Sequence, residues 1–191
     1  HKVECPQWCK MLFEESKENP ELRQEFLNKL ELKRAFVNSI KYDSTNQYKN
    51  IDLENEIAMR TVINPNQNLL SGIMGTKSDI VVYPTSFTWF IGSTKENFLS
   101  TMEHELRHAK QAYMHPEKYF PQLSILKSEN YSIEQKEDYI IQTTIIAEID
   151  AYENQLADIR LGKRNVTNDL ENCIIKNLKH YYSKLSQQKL L

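Results

Sequence analysis

The chain has 191 residues, 40% of them apolar and 26% charged, enough for a single domain with a proper core spanning 1–191. Its net charge of −2 gives no electrostatic ground for nucleic acid or an anionic membrane as partner, and no apolar run approaches the roughly 20 residues a membrane span needs. Of four glycines, three (Gly72, Gly75 and Gly92) fall in one short stretch, so the expected class is α+β, mostly helical, with one turn-rich segment bearing the strands.

The chain opens on His1 rather than Met, and an upstream segment is expected to have been removed. Three cysteines occur, Cys5, Cys9 and Cys173, and an odd count speaks against a disulfide scaffold. Cys5 and Cys9, with Pro6 and Trp8 between them, could pair, bind a metal weakly or simply pack. They leave the compartment open, with a secreted or extracytoplasmic setting marginally favoured over a cytoplasmic one.

Residues 6–17 have helical spacing, with Trp8, Met11 and Leu12 apolar. Asn19-Pro20-Glu21 reads as a helix start, an Asn N-cap followed by Pro at the first helical position. Leu22, Phe26, Leu30, Val37 and Ile40 keep close to a 3.6 period and predict a helix to about residue 40. Residues 42–55 are polar and read as a loop. Residues 56–63 fit a short strand or a helical turn, and 64–78 a second loop. The β-rich run 79–83 and the aromatic run 86–91 (SFTWFI) predict two strands that form a small sheet. Ser93-x-x-Glu96 is a capping box that launches a helix from about 94 to 114, ended by Pro116. Residues 115–131 read as a connection. Ser132-x-x-Gln135 opens a long helix closed near Gly162, and Thr167 or Asn168 caps a final helix with Leu170, Ile174, Leu178, Tyr181 and Leu185 on one stripe.

Inside the predicted 94–114 helix lies His104-Glu105-Leu106-Arg107-His108, an H-E-x-x-H pattern. Positions i and i+4 share a helix face, so His104 and His108 can both face one metal ion. Glu105 is placed to reach a metal-activated water rather than the metal. At this chain's His and Glu content the pattern arises by accident in about one such chain in a hundred.

A catalytic zinc site needs three protein ligands and an open position. The extension with a third His six residues on fails, because that position is Met114 and Gln111 stands where Gly is required; His115 is one residue off. The long 133–161 helix carries an apolar stripe of Ile141, Ile145, Ile149, Tyr152, Leu156 and Ile159, and Glu148 falls on it. A carboxylate facing a core is costly unless paired or metal-bound, which makes Glu148 the third-ligand candidate. The competing reading is a buried salt bridge to Arg107 or a lysine. Asp150 and Glu153 fall on the other side and are expected to be solvated.

The segment EHELRHAKQAY, followed about 40 residues later by AEIDAYENQ, resembles the zincin metallopeptidases of the gluzincin type, and especially small bacterial domains with H-E-L-x-H-x-x-Q and a downstream E-x-x-A-Y helix. The resemblance covers the middle of the chain. It implies a zincin-like active-site helix after a small β-sheet and a later helix supplying the Glu ligand. It further implies an upstream edge strand that holds substrate extended, matched here to about 86–91. Gluzincins carry an acidic residue four after the Glu ligand to orient a ligand His; here that position is Tyr152, whose hydroxyl is the candidate to do that or to bond substrate.

The expected function is that of a zinc-dependent metallopeptidase, a hydrolase of peptide or protein substrates. One Zn²⁺ would be held by His104, His108 and Glu148, with Glu105 as general base. Tyr152, His115 and His180 are candidate second donors to an oxyanion. The alternatives are a catalytically silent or narrowly specific zincin-fold domain, of toxin or processing type, or a helical binding protein with a fortuitous motif.

Overall fold

A computed structural model describes residues 2–45, 49–50, 55–63, 77–120 and 128–188. The predicted 64–78 loop, with Gly72 and Gly75, lies almost wholly outside the described residues, as do positions 121–127 of the predicted 115–131 connection.

Helix α1 (Gln7–Glu18) buries Cys9, Phe13 and Ser16. A disulfide joins Cys5 to Cys9, which decides between the three options their spacing left open. Asn19 caps as expected, its side chain accepting from Glu21 N at 3.1 Å, and a 3₁₀ turn (Pro20–Leu22) leads into α2 (Arg23–Lys29).

The predicted continuation of that helix to residue 40 fails. Leu30 is already extended, and Glu31 pairs with Glu4 in an antiparallel bridge. Val37 and Ile40 belong instead to strand β1 (Val37–Tyr42). Their three-residue spacing mimics a helix for a definite reason. The register slips between Val37 and Ser39, so residues three apart face the core together.

A two-residue pair follows, β2 (Lys49–Asn50) with β3 (Asn55–Glu56). Strand β4 (Met59–Ile63) resolves the strand-or-turn alternative, and β5 (Ser78–Val82) matches the β-rich run. The sheet order is β1-β5-β4, with β5 central, parallel to β1 and antiparallel to β4.

The predicted strand at 86–91 is not a strand. It is a helical turn, α3 (Thr85–Thr88), followed by a 3₁₀ turn (Phe90–Gly92). Phe87 and Ile91, four apart, point inward, while Trp89 is 39% exposed. The fold-back requires glycine at 92, where a Cβ would lie 2.5 Å from the backbone of Ser86 and Phe87. Thr85 and Ser86 donate their hydroxyls to Ile57 and Ala58 carbonyls, tying this turn to the start of β4. Phe87 joins Phe13, Phe26 and Phe98 in a fully buried aromatic cluster.

Helix α4 (Lys95–Met114) starts one residue later than the capping box implied. Thr94, not Ser93, accepts from Asn97 N at 3.0 Å. The fully buried Asn97 side chain then bonds Phe90 O and both the amide and hydroxyl of Thr167, joining this end of α4 to the entry of the last helix. A short helix α5 (Pro116–Tyr119) opens the 115–131 connection. Helix α6 (Ile133–Arg160) has the predicted capping box at Ser132. It ends in a Schellman arrangement: Gly162 has φ +72°, Gly162 N bonds Ile159 O and Lys163 N bonds Asp158 O. Helix α7 (Asn168–Gln188) packs along α6. The architecture is α+β and mostly helical, as composition implied, with α1 and α2 before the sheet and α7 after the long helix.

Candidate metal centre

Helix α4 runs between the sheet and α6, and its buried residues include Phe98, Met102, Leu106 and Ala109 as well as His104, Glu105, His108 and Gln111. A helix with that many buried polar groups needs a partner for each of them.

Three atoms from two helices converge. His104 Nε2 lies 3.1 Å from His108 Nε2, and Glu148 Oε2 on α6 lies 3.4 Å and 3.5 Å from those two nitrogens. A tetrahedral zinc ion with ligand bonds near 2.0–2.1 Å sets its ligand atoms about 3.3 Å apart. The triangle therefore has the size this ion demands, and the donor set of two imidazoles and a carboxylate is one zinc accepts. Both histidines are over 90% buried.

Without a metal the same geometry is an imidazolium–carboxylate cluster. Burial pulls the His108 pKa down, and the charge and hydrogen bonds of Glu148 more than reverse this, to about 9. Burial raises the Glu148 carboxyl, and the two histidines outweigh it and hold it well below the usual range. A bound cation would replace that proton. The sequence alternative of a Glu148 salt bridge to Arg107 is corrected: Arg107 pairs with Asp150 at 2.7 Å.

Glu105 lies beside the triangle, 9% exposed, and its Oε2 is 2.6 Å from the Thr61 hydroxyl on β4. A cavity of about 300 Å³ opens in front of these groups. Its walls come from β4 (Met59, Thr61), the 3₁₀ turn (Phe90, Ile91) and α7 (Leu170, Ile174). The strand at the wall of the site is thus β4, not the 86–91 segment.

Tyr152 lines the cavity with its ring packed on His104, centroids 4.2 Å apart. Its hydroxyl is 3.0 Å from Asn177 Nδ2 on α7. Burial, then the Glu148 charge, hold this phenol well above its ordinary pKa, so it stays neutral. The hydroxyl does not orient His104, whose buried Nδ1 has no hydrogen-bond partner among the described residues. His115 caps the end of α4, faces Glu117 at the surface, and does not line the cavity; nor does His180.

Asp150 is the largest departure from expectation at the site. It is not solvated. Its carboxylate takes two hydrogen bonds from Arg107, at 2.7 and 3.0 Å, and one from Gln111 at 2.7 Å. Burial would raise its pKa, and the bonds from Arg107 and Gln111 lower it on balance. Ile141, placed on the apolar stripe, is 49% exposed, because the first turns of α6 reach beyond the core that Ile145, Ile149 and Leu156 enter. Glu153 is exposed as expected and meets the Tyr182 hydroxyl.

No family model matches the chain, and neither a curated protein nor a solved structure matches it significantly. Among the described residues, His104, His108 and Glu148 form the one group of His, Cys, Asp and Glu side chains arranged to hold a metal ion.

Proposed function

We infer that the protein is a zinc-dependent peptidase with a zincin-like arrangement of the gluzincin type. The observation that carries the reading is the convergence of His104, His108 and Glu148 on one point, with the Glu105 carboxylate beside it at the wall of an open cavity. Zinc held there would polarise a scissile carbonyl and lower the pKa of water toward neutrality.

The chain's own groups then have assigned tasks. Glu105 takes the proton from the attacking water and passes it to the leaving amine. Thr61, donating to Glu105 Oε2, fixes that carboxylate against β4. Strand β4 ends the described sheet on the cavity side and is placed to lie alongside an extended substrate. Tyr152, a neutral phenol in the wall, holds the His104 ring by packing.

Elemental analysis and a peptide-library digest test the reading together. Wild-type protein is expected to carry one zinc per chain and to cleave; His104→Ala and Glu148→Ala are expected to lose both zinc and cleavage while still folding. Full zinc occupancy in both variants, or no zinc in the wild type, would reject the ligand assignment.

Thr61 gives a finer check. Thr61→Val is expected to lower kcat on a cleaved peptide about tenfold or more, with KM and zinc content little changed, and Thr61→Ser to restore most of it. A Thr61→Val enzyme with wild-type kcat would remove Thr61 from the catalytic arrangement.

A further inference from the structure

Gln111 sits one turn after His108 on α4 and is 2% exposed. Its side-chain amide spans the gap between α4 and α6. The Nε2 group lies 3.0 Å from Ala147 O and 2.7 Å from Asp150 Oδ2, and Oε1 lies 2.9 Å from His108 Nδ1. Ala147 O is a peptide carbonyl, and the Asp150 carboxylate is fastened by Arg107 through both oxygens. Neither acceptor carries a proton, so only the NH₂ end of the amide can face them.

The opposite end is thereby decided. Gln111 must present its oxygen to His108, and an oxygen can only accept. His108 Nδ1 therefore carries the hydrogen, and the lone pair of the neutral ring is left on Nε2, the atom directed at His104 Nε2 and Glu148 Oε2. Were the amide turned over, its NH₂ would face Nδ1 and favour the tautomer with the hydrogen on Nε2, which cannot ligate.

We propose that Asp150 is a positioning residue of the metal centre, acting through the Gln111 amide to set the ligating tautomer and ring orientation of His108. Helix α6 thus serves the site twice. Glu148 enters the ligand triangle, while the Ala147 carbonyl and the Asp150 carboxylate lock the amide that aims His108. His104 has no such lock: its Nδ1 is unpartnered among the described residues and its ring is held by Tyr152. The control is asymmetric, confined to one of the two histidines. The proposal rests on the metal-site reading above.

A double-mutant cycle on zinc affinity in the full chain, by competition with a chromophoric chelator, tests it. Asp150→Ala and Gln111→Met are each expected to weaken zinc binding about 10- to 100-fold. The double variant is expected to be no weaker than Gln111→Met alone, because Asp150 has nothing left to act through. In the zinc-loaded wild type the His108 Nδ1–H should give a protected proton–nitrogen resonance, lost in Asp150→Ala. Asp150→Asn, which folds under milder perturbation and keeps an oxygen for Gln111, is expected to recover most of the affinity.

Multiplicative losses in the double variant, or an Asn variant as weak as the Ala variant, would overturn the relay and leave Asp150 as an ion-pair partner of Arg107 only. Those outcomes leave the zinc reading standing. A wild-type chain that takes up no zinc overturns both.

Discussion

Glu105→Gln is expected to keep one zinc per chain and to lose about 10²- to 10⁴-fold in peptide turnover, the range that a positioned general base supplies. The substitution keeps the side chain's size and leaves His104, His108 and Glu148 untouched. Glu105 is buried at the α4–β4 contact, with the Thr61 hydroxyl 2.6 Å from its Oε2, so a glutamine there finds a hydrogen-bond partner already in place. The amide cannot accept a proton from water at neutral pH, so the loss belongs in kcat, with KM nearly constant. Zinc per chain by elemental analysis and steady-state kinetics on one library-derived peptide measure the two halves. Turnover at the wild-type rate would mean that Glu105 is not the base; loss of zinc would mean that it is a ligand or a structural prop.

The His104–His108–Glu148 grouping was legible before the fold because each of its signals is local, although their meeting is tertiary. The i, i+4 spacing of His104 and His108 survives any tertiary arrangement of the helix, and Glu148 announced itself as a carboxylate on an apolar stripe. What surrounds the triangle was not legible, because it depends on which elements pack together. Asp150 lies beyond the apolar stripe of α6 and reads as solvated until α4 brings Arg107 and Gln111 against it. Thr61 is one β-branched residue in a short run, with no sign that its hydroxyl meets Glu105. Leu170 and Ile174 read correctly as a core stripe, yet nothing local says that part of this stripe walls the cavity.

The errors in secondary structure have the same origin. A bulge at Val37–Ser39 gave a strand the spacing of a helix, and a glycine-dependent fold-back gave a helical turn the composition of a strand. The strand at the cavity wall is β4, not the 86–91 segment that composition suggests. The long α6, by contrast, was placed from its capping box and its terminal glycine, signals that act within a few residues and owe nothing to packing.

Arg164→Ala is expected to destabilise the fold by about 3–5 kcal/mol, the cost of removing one partner from a buried charged network. The guanidinium is 7% exposed and ties the N-terminal segment to helix α4. It forks onto Glu103 at 2.6–3.2 Å, reaches Glu96 at 3.2 Å, and donates to the carbonyl of the fully buried Val3, whose own N–H bonds Glu103 Oε1 at 2.9 Å. Burial works against the charge, and the Glu103 and Glu96 carboxylates outweigh it and raise the arginine pKa. Truncation leaves Glu103, 10% exposed and adjacent to His104, without its countercharge, and leaves the Val3 carbonyl without this donor. Over a chain of this size the loss corresponds to a fall in Tm on the order of 10 °C. Lys163→Ala supplies the contrast: its pair with Asp158 is at the surface, with Lys163 62% exposed, and its removal is expected to cost under about 1 kcal/mol. Urea unfolding of the two variants beside wild type separates the cases. Equal stabilities for the two adjacent substitutions would show that the Glu103–Arg164–Val3 network does not hold the N-terminal segment to the motif helix.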